Sequence, residues 1–410
     1  MKFYKRHIAQ VINRQNRRKS TLIVTGPRQV GKSTILKKTL GDVKYVTLDD
    51  PILRMQALED TKAFLAENKP PIIVDEIQKA PSIFDYIKME VDVSETPGQY
   101  YLSGSHSFDL MKGVTESLAG RAGIIKMLGL SLREINEVQH AEAFVPTDTH
   151  FSKLEAQAPD FHYNTIVEII HKGSYPELYK TESDLKDWRD YYSSYLQSYL
   201  EKDVKDLINA ENMSAFLKFI QGTAALSGEQ LNIQLLGEIC GKNANTVKRW
   251  LSILEMSGHI YLLQSYHSNQ NKRLIKTPKL YFLDTGLVCY LGGWNTPQQL
   301  TSGARWGHIF ETYVVSEILK TYYNDGIVNP KFFYYRDKDK REIDMIIEEG
   351  DTLFPIEIKV TTAPDKGMVA SFEVVEKQIK KSFSKGALIC MYDKTISFGD
   401  KCYVINPNLV

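Results

Sequence analysis

The 410-residue sequence has few cysteines, no long apolar run and almost no net charge. Its four cysteines, Cys240, Cys289, Cys390 and Cys402, stand far apart, with no CxxC pair and no metal-ligand spacing. That excludes a disulfide scaffold and points to free thiols in a reducing compartment. No stretch reaches the length of a bilayer span, and the start, Met1 to His7, lacks the apolar segment of a secretory signal. A cytoplasmic protein with no membrane partner is expected. With 51 Lys+Arg against 50 Asp+Glu, the formal charge of +1 rules out a uniformly basic coat for nucleic acid. Hydrophobic residues at 43% and charged residues at 25% are those of a globular chain. At about 150 residues per domain, the length allows two to three domains.

Acidic residues are also missing locally. Residues 1–41 contain eleven Lys and Arg and no Asp or Glu, a block that suggests a local phosphate or nucleic-acid partner. Within it, the apolar run Thr21–Thr25 leads into Gly26-Pro27-Arg28-Gln29-Val30-Gly31-Lys32-Ser33-Thr34 and then a helical segment to Leu40. This G-x-x-x-x-G-K-S pattern between a strand and a helix is a phosphate-binding loop. Its glycines let backbone N–H groups wrap the phosphates, the helix N-terminus adds its dipole, Lys32 reaches the β- and γ-phosphates, and Ser33 ligates Mg²⁺. ATP and Mg²⁺ are therefore the expected ligands.

Strand and helix then alternate. Val43–Leu48 reads as a strand and Leu53–Ala66 as a helix. Ile72–Val74 reads as a strand ending in Asp75-Glu76, and Tyr100–Leu102 as one ending in Ser103-Gly104-Ser105. Such alternation predicts a parallel sheet with ligands at the carboxyl ends of its strands. Asp75 suits Mg²⁺ coordination, and Glu76 suits orienting and polarising the attacking water. The loop, the acid pair and the polar end of the Ser103 strand resemble an AAA-type ATPase of the additional-strand class. The resemblance implies that Ser103 senses the γ-phosphate. It also implies that Arg121, ahead of the strand Ile124–Leu128, is an arginine finger, which requires a homo-oligomer if it acts in trans. Arg28 is a weaker finger candidate.

Residues 141–215 are helical in pattern and rich in Tyr, with a lid or connector as the default reading. Ile233–Cys240, a turn, and Asn245–Ser257 then read as two helices, the second burying Val247, Trp250, Leu251 and Leu254. Strands Ile260–Tyr266 and Leu280–Leu283 would complete a winged helix. Lys248 and Arg249 fall on the exposed side of its second helix. No acid lies between Glu255 and Asp284, where Lys272, Arg273, Lys276 and Lys279 form an edge suited to DNA phosphates.

Near the end, the helix Trp306–Lys320 carries Phe310, Val314 and Ile318 on one stripe, with Glu311 beside it. Two alternating strands, Glu342–Ile347 and Leu353–Val360, flank Glu349-Gly350-Asp351-Thr352. A two-residue loop at Gly350-Asp351 sets Asp344 opposite Glu357 and Glu342 opposite Lys359, all on one face. Facing carboxylates repel, so a Mg²⁺ between them, with Lys359 beside a metal-bound water, is the expected arrangement. The set Glu311, Asp344, Glu357, Lys359 resembles the PD-(D/E)xK nuclease-like fold.

Taken together, the chain resembles a prokaryotic AAA-type P-loop ATPase family whose C-terminal region is uncharacterised. The expected architecture is α/β, in four parts. An AAA-type P-loop NTPase domain with a parallel sheet spans 1–140, and a helical connector 141–215. A winged helix spans 216–290, and a restriction-endonuclease-like α/β domain 291–410. The expected function is Mg²⁺-dependent ATP hydrolysis coupled to that C-terminal region and acting on DNA. The alternatives are an ATP-gated metal-dependent nuclease and a non-enzymatic ATP-switched module binding DNA or protein.

Overall fold

The computed structural model describes every residue except 1, 95, 106–117, 119, 182–183, 200–203, 205–211, 268–275 and 380. Five strands form the first sheet: β1 (Thr21–Gly26), β2 (Lys44–Thr47), β3 (Ile72–Asp75), β4 (Tyr100–Ser105) and β5 (Ala122–Lys126). All pair in parallel, in the order β2-β3-β4-β1-β5. The Ser103 strand is thus inserted between the phosphate-loop strand and the Asp75 strand. Alternate residues of these strands face opposite layers. Leu22, Val24, Ile73 and Tyr101 join one apolar cluster, and Ile23, Ile72, Val74 and Leu102 join another. Both faces are therefore covered, as a parallel sheet requires. The expected helix Leu53–Ala66 is instead two, Pro51–Glu59 and Thr61–Glu67. Asp60 breaks it, because its carboxylate accepts from the Ala63 N–H and caps the second helix.

The second sheet contains β6 (Glu229–Gln230), β7 (Ile260–Ser265), β8 (Lys279–Phe282), β9 (Phe332–Arg336), β10 (Glu342–Glu349), β11 (Thr352–Lys359), β12 (Gly386–Cys390), β13 (Ile396–Phe398) and β14 (Cys402–Ile405). Its order is β13-β14-β12-β11-β10-β9-β7-β8-β6. The hairpin register has the expected form, with Glu349 opposite Thr352, Ile347 opposite Phe354 and Met345 opposite Ile356. The join between β7 and β9 (Gln264 with Phe333, Ser265 with Tyr334) was not foreseen. It makes one sheet run across the boundary expected at 290.

The helix Trp306–Asn324 differs from expectation too. Every residue from Ile309 to Asn324 is buried, so beyond its first turn it has no solvent face. One apolar cluster runs from Ile8 through Trp188, Trp250 and Phe310 to Ile405, so the expected parts share a core.

Two histidines inside this core are held neutral. His259 lies between the Tyr195 hydroxyl at 2.9 Å and the Ser257 hydroxyl at 2.7 Å, and burial pushes it down to about 3. Burial, then the nearby Arg133, pushes His150 down to about 3. Both values lie below the unfolded pKa of about 6.5. Stability from these rings is complete above that value and is lost as pH falls, because the unfolded chain takes up protons that the native chain refuses. In His259→Gln, the unfolding free energy from urea titrations should depend less steeply on pH between about 5.5 and 4. The difference should be about 1.4 kcal/mol per pH unit.

Candidate nucleotide-binding site

The carboxyl ends of β1, β3 and β4 bring the first site together. The loop after β1 needs unusual backbone: Gly26 has φ +151°, Gln29 +62° and Gly31 +95°. At Gly26 a Cβ would fall 1.9 Å from the Met127 carbonyl oxygen, so the position admits only glycine. Lys32 curls back, its ammonium donating to the carbonyls of Gly26 at 2.9 Å and Pro27 at 2.8 Å. The loop thus already holds a positive charge inside the ring of backbone that phosphates would line.

Asp75 is the hub of the polar contacts. Its Oδ2 accepts from the hydroxyls of Ser33 and Tyr45, both at 2.8 Å, and its Oδ1 accepts from Ser103 at 2.5 Å. Burial and this carboxylate push the Tyr45 phenol up to about 12, so it stays a donor. Register explains the Ser103 contact, since Asp75 and Ser103 are direct partners on β3 and β4. Ser103 is fully buried against Asp75, and as it stands it positions that carboxylate. Ser33 and Asp75 together offer the hard oxygen ligands that fit Mg²⁺.

Glu76 has φ +56°, a left-handed conformation that costs a non-glycine residue on the order of 1 kcal/mol and is typical of functional positions. Its carboxylate accepts from the Gln78 amide and lies 3.9 Å from Arg28. Arg28, Gln29, Val30, Gly31, Lys32, Ser33, Thr34 and Glu76 line a cavity of about 650 Å³, a volume suited to a nucleotide. Its far wall comes from the connector, including Glu177, Lys180 and Tyr191, and from the N-terminal Lys2, Phe3 and Tyr4. Arg121 sits elsewhere. It precedes β5, whose first residue pairs with the first residue of β1, so it lies at the opposite end of the sheet, bonded to Asp92.

The sequence reading missed the support beneath the loop. Arg6, 7% exposed, donates to the carbonyls of Val30 at 2.9 Å, Leu128 at 2.8 Å and Gly129 at 3.1 Å, and to Glu134 at 3.1 Å. Burial alone would raise the Glu134 pKa, but Arg6, His7 and backbone N–H groups outweigh it and hold it low. Behind the loop, Gly258 abuts Pro27. With φ +75° and only 3.0 Å from a would-be Cβ to the proline ring, that position too favours glycine.

The C-terminal acids also converge, with one unforeseen partner. Lys279 was expected on the exposed wing edge, yet it is 4% exposed and lies among Glu311 (2.9 Å), Glu342 (2.5 Å) and Asp344 (3.6 Å). The expected Glu342–Lys359 pair does not form. Glu342 faces Arg336 of β9 and takes Lys279, while Lys359 turns to Glu357 (2.5 Å) and Asp344 (3.3 Å). The reason is that β10 lies inside the sheet, where β9 and β8 compete with β11 for its carboxylates. Burial, then Asp344, pushes Glu311 up to about 7 and Glu357 up to about 8. Lys248, Arg249 and Lys276 are exposed as expected, and Lys272 and Arg273 lie outside the described residues.

Replacing Arg6 by Met strands the buried Glu134 carboxylate and frees the Val30 carbonyl. Urea unfolding should report a loss of about 3–5 kcal/mol, with partial retention in Arg6→Lys. Titration with a fluorescent nucleotide should show weaker binding in the folded fraction.

Comparison with known proteins agrees with the first part of this picture. Residues 18–136 match the model of an AAA domain. Residues 163–298 and 306–409 match two domains of unknown function, DUF8612 and DUF4143. Uncharacterized proteins of Mycobacterium tuberculosis and Mycobacterium bovis are each 25% identical over 385 residues, covering 92% of this chain and 78% of theirs. A Walker-type ATPase of Pyrococcus abyssi aligns at 13% identity and a TM-score of 0.43, over 69% of this chain and 94% of its own. RuvB of Thermotoga maritima aligns at 15% identity and a TM-score of 0.28, over 62% and 86%. No helix among the described residues is long and apolar enough to cross a membrane. The chain thus joins an AAA-type P-loop domain, with its parallel sheet and phosphate loop, to two C-terminal regions matching domains of unknown function.

Proposed function

We propose that the chain hydrolyses ATP with Mg²⁺ and couples its nucleotide state to the C-terminal region. The observation that carries this reading is the convergence of Lys32, Ser33, Asp75 and Glu76 at the ends of parallel strands, beside a cavity of nucleotide size. On binding, the Lys32 ammonium leaves the Gly26 and Pro27 carbonyls for the β- and γ-phosphates. Ser33 and Asp75 would hold Mg²⁺, which would supply Lewis-acid stabilisation of the phosphoryl oxygens. Ser103 and Tyr45 fix the Asp75 carboxylate, and Glu76 takes the proton of the attacking water. Arg28 and Gln78 keep Glu76 oriented.

Arg121 lies about 16 Å along β1 from the loop, at about 3.3 Å per strand residue, so it serves only a neighbouring copy. Coupling has a direct route through the Pro27–Gly258 contact, because Gly258 ends the helix Ala244–Met256 and leads into β7. The order helix Met213–Ala225, β6, helix, helix, β7, β8 supports a winged helix. The exposed Lys248 and Arg249 support contact with DNA phosphates.

Glu76→Gln should retain nucleotide binding and lose hydrolysis by about 100-fold or more. Unchanged turnover would discard Glu76 as the base. Run beside it, the parent should turn over ATP faster with duplex DNA, and its specific activity should rise with protein concentration. A rate indifferent to DNA removes the DNA partner, and one indifferent to concentration removes Arg121 acting in trans.

A further inference from the structure

Metal-assisted phosphodiester cleavage needs a divalent ion held by carboxylate oxygens with an open position for water. At the C-terminal acidic cluster, that place already contains a positive charge attached to the chain. Lys279 projects from β8 into the space bounded by Glu311, Glu342 and Asp344. Each carboxylate a metal would use already has an oxygen engaged. Glu311 Oε1 accepts from Lys279 and from the Tyr281 hydroxyl at 2.6 Å. Asp344 Oδ1 faces Lys279, and its Oδ2 accepts from the Ile358 N–H at 2.9 Å and from Lys359 at 3.3 Å. Glu357 Oε1 pairs with Lys359, while Glu357 Oε2 makes no hydrogen bond.

With Lys279 in place, no group of three His, Cys, Asp or Glu side chains among the described residues is placed to hold a metal. Nor is Lys279 a removable cover. Its backbone pairs with Leu263 of β7 on one side and Gln230 of β6 on the other, so withdrawing it means breaking a three-stranded ladder.

We propose that Lys279 is the resident cation of this cluster: its ammonium stands among Glu311, Glu342 and Asp344, beside the place between Asp344 and Glu357 where a nuclease-like site would hold Mg²⁺ and where Lys359 now lies, and it locks β8 to the buried helix Trp306–Asn324 and to β10. The cluster is then a weld between segments, with no catalytic metal. Two ammonium groups among four carboxylates, with Arg336 3.4 Å from Glu342 at the rim, supply the counter-charge.

The test is a Mn²⁺ titration of the full chain without nucleotide, following free Mn²⁺ by electron paramagnetic resonance. The parent should take up no stoichiometric Mn²⁺, and Lys279→Arg should behave like it. Lys279→Met uncovers three carboxylates, so it should gain one Mn²⁺ per chain and lose it again on adding Asp344→Asn. A parent that binds Mn²⁺ and loses it in Asp344→Asn, but keeps it in Ser33→Ala, overturns the proposal. So does a folded Lys279→Met that gains none. If Lys279→Met fails to fold, the parent and its Asp344→Asn and Ser33→Ala variants decide the matter alone.

Discussion

The structure depends on two acidic side chains buried in one helix. Beyond its first turn Trp306–Asn324 has no solvent face, yet it carries Glu311 and Glu317. A carboxylate taken from water costs several kcal/mol unless partners meet it. Here the partners come from separate parts of the chain. Lys279 and Tyr281, from β8 at the end of the acid-free stretch, meet Glu311. Glu317 accepts from the Leu132 N–H just beyond the nucleotide sheet, at 2.7 Å, and from Lys320, which also donates to the Leu130 carbonyl. Removing the second sheet would take Lys279 and Tyr281 from Glu311, and removing the first would take the Leu132 N–H and the Leu130 carbonyl from the Glu317–Lys320 pair. Their relative placement is set by electrostatic necessity as well as by apolar packing.

The same logic organises the phosphate loop. Its front is open to the cavity, but its back and sides are tied down. Arg6 lies under Val30, Gly258 stands behind Pro27, and the Ser33–Asp75–Ser103 chain runs along the strand ends. Preorganised backbone of this kind spares the ligand the cost of ordering the loop. The connector is part of that arrangement. Tyr192 and Tyr195 pack into the shared core, and Tyr191 and Glu177 face the cavity.

What the sequence revealed was local. The loop motif, the acid pair closing β3, the helix stripe Val247–Leu254 and the register of the β10–β11 hairpin follow from spacing between near neighbours. What stayed hidden was long-range. Arg6 reads as one more basic residue in an acid-free block, because its partner Glu134 is 128 positions away. Lys279 reads as part of a solvent-facing basic edge, because nothing in its own strand shows that three carboxylates lie across from it. The all-round burial of Trp306–Asn324 escaped notice for the same reason. Its polar residues look like a wet face until their partners arrive from elsewhere. Asp60 is the exception, a local cap that was overlooked inside a longer helical pattern.

The Leu132–Glu317 bond also has a consequence in time. A ribosome adds about 5–20 residues per second, so the 185 residues between donor and acceptor take on the order of 10–40 s to appear. Throughout that interval the segment after the nucleotide sheet exists without its carboxylate, and its apolar neighbours exist without the helix that covers them. Folding of the first sheet is therefore a waiting state during synthesis. A chaperone that shields exposed surface would act in that window, before the buried helix has emerged.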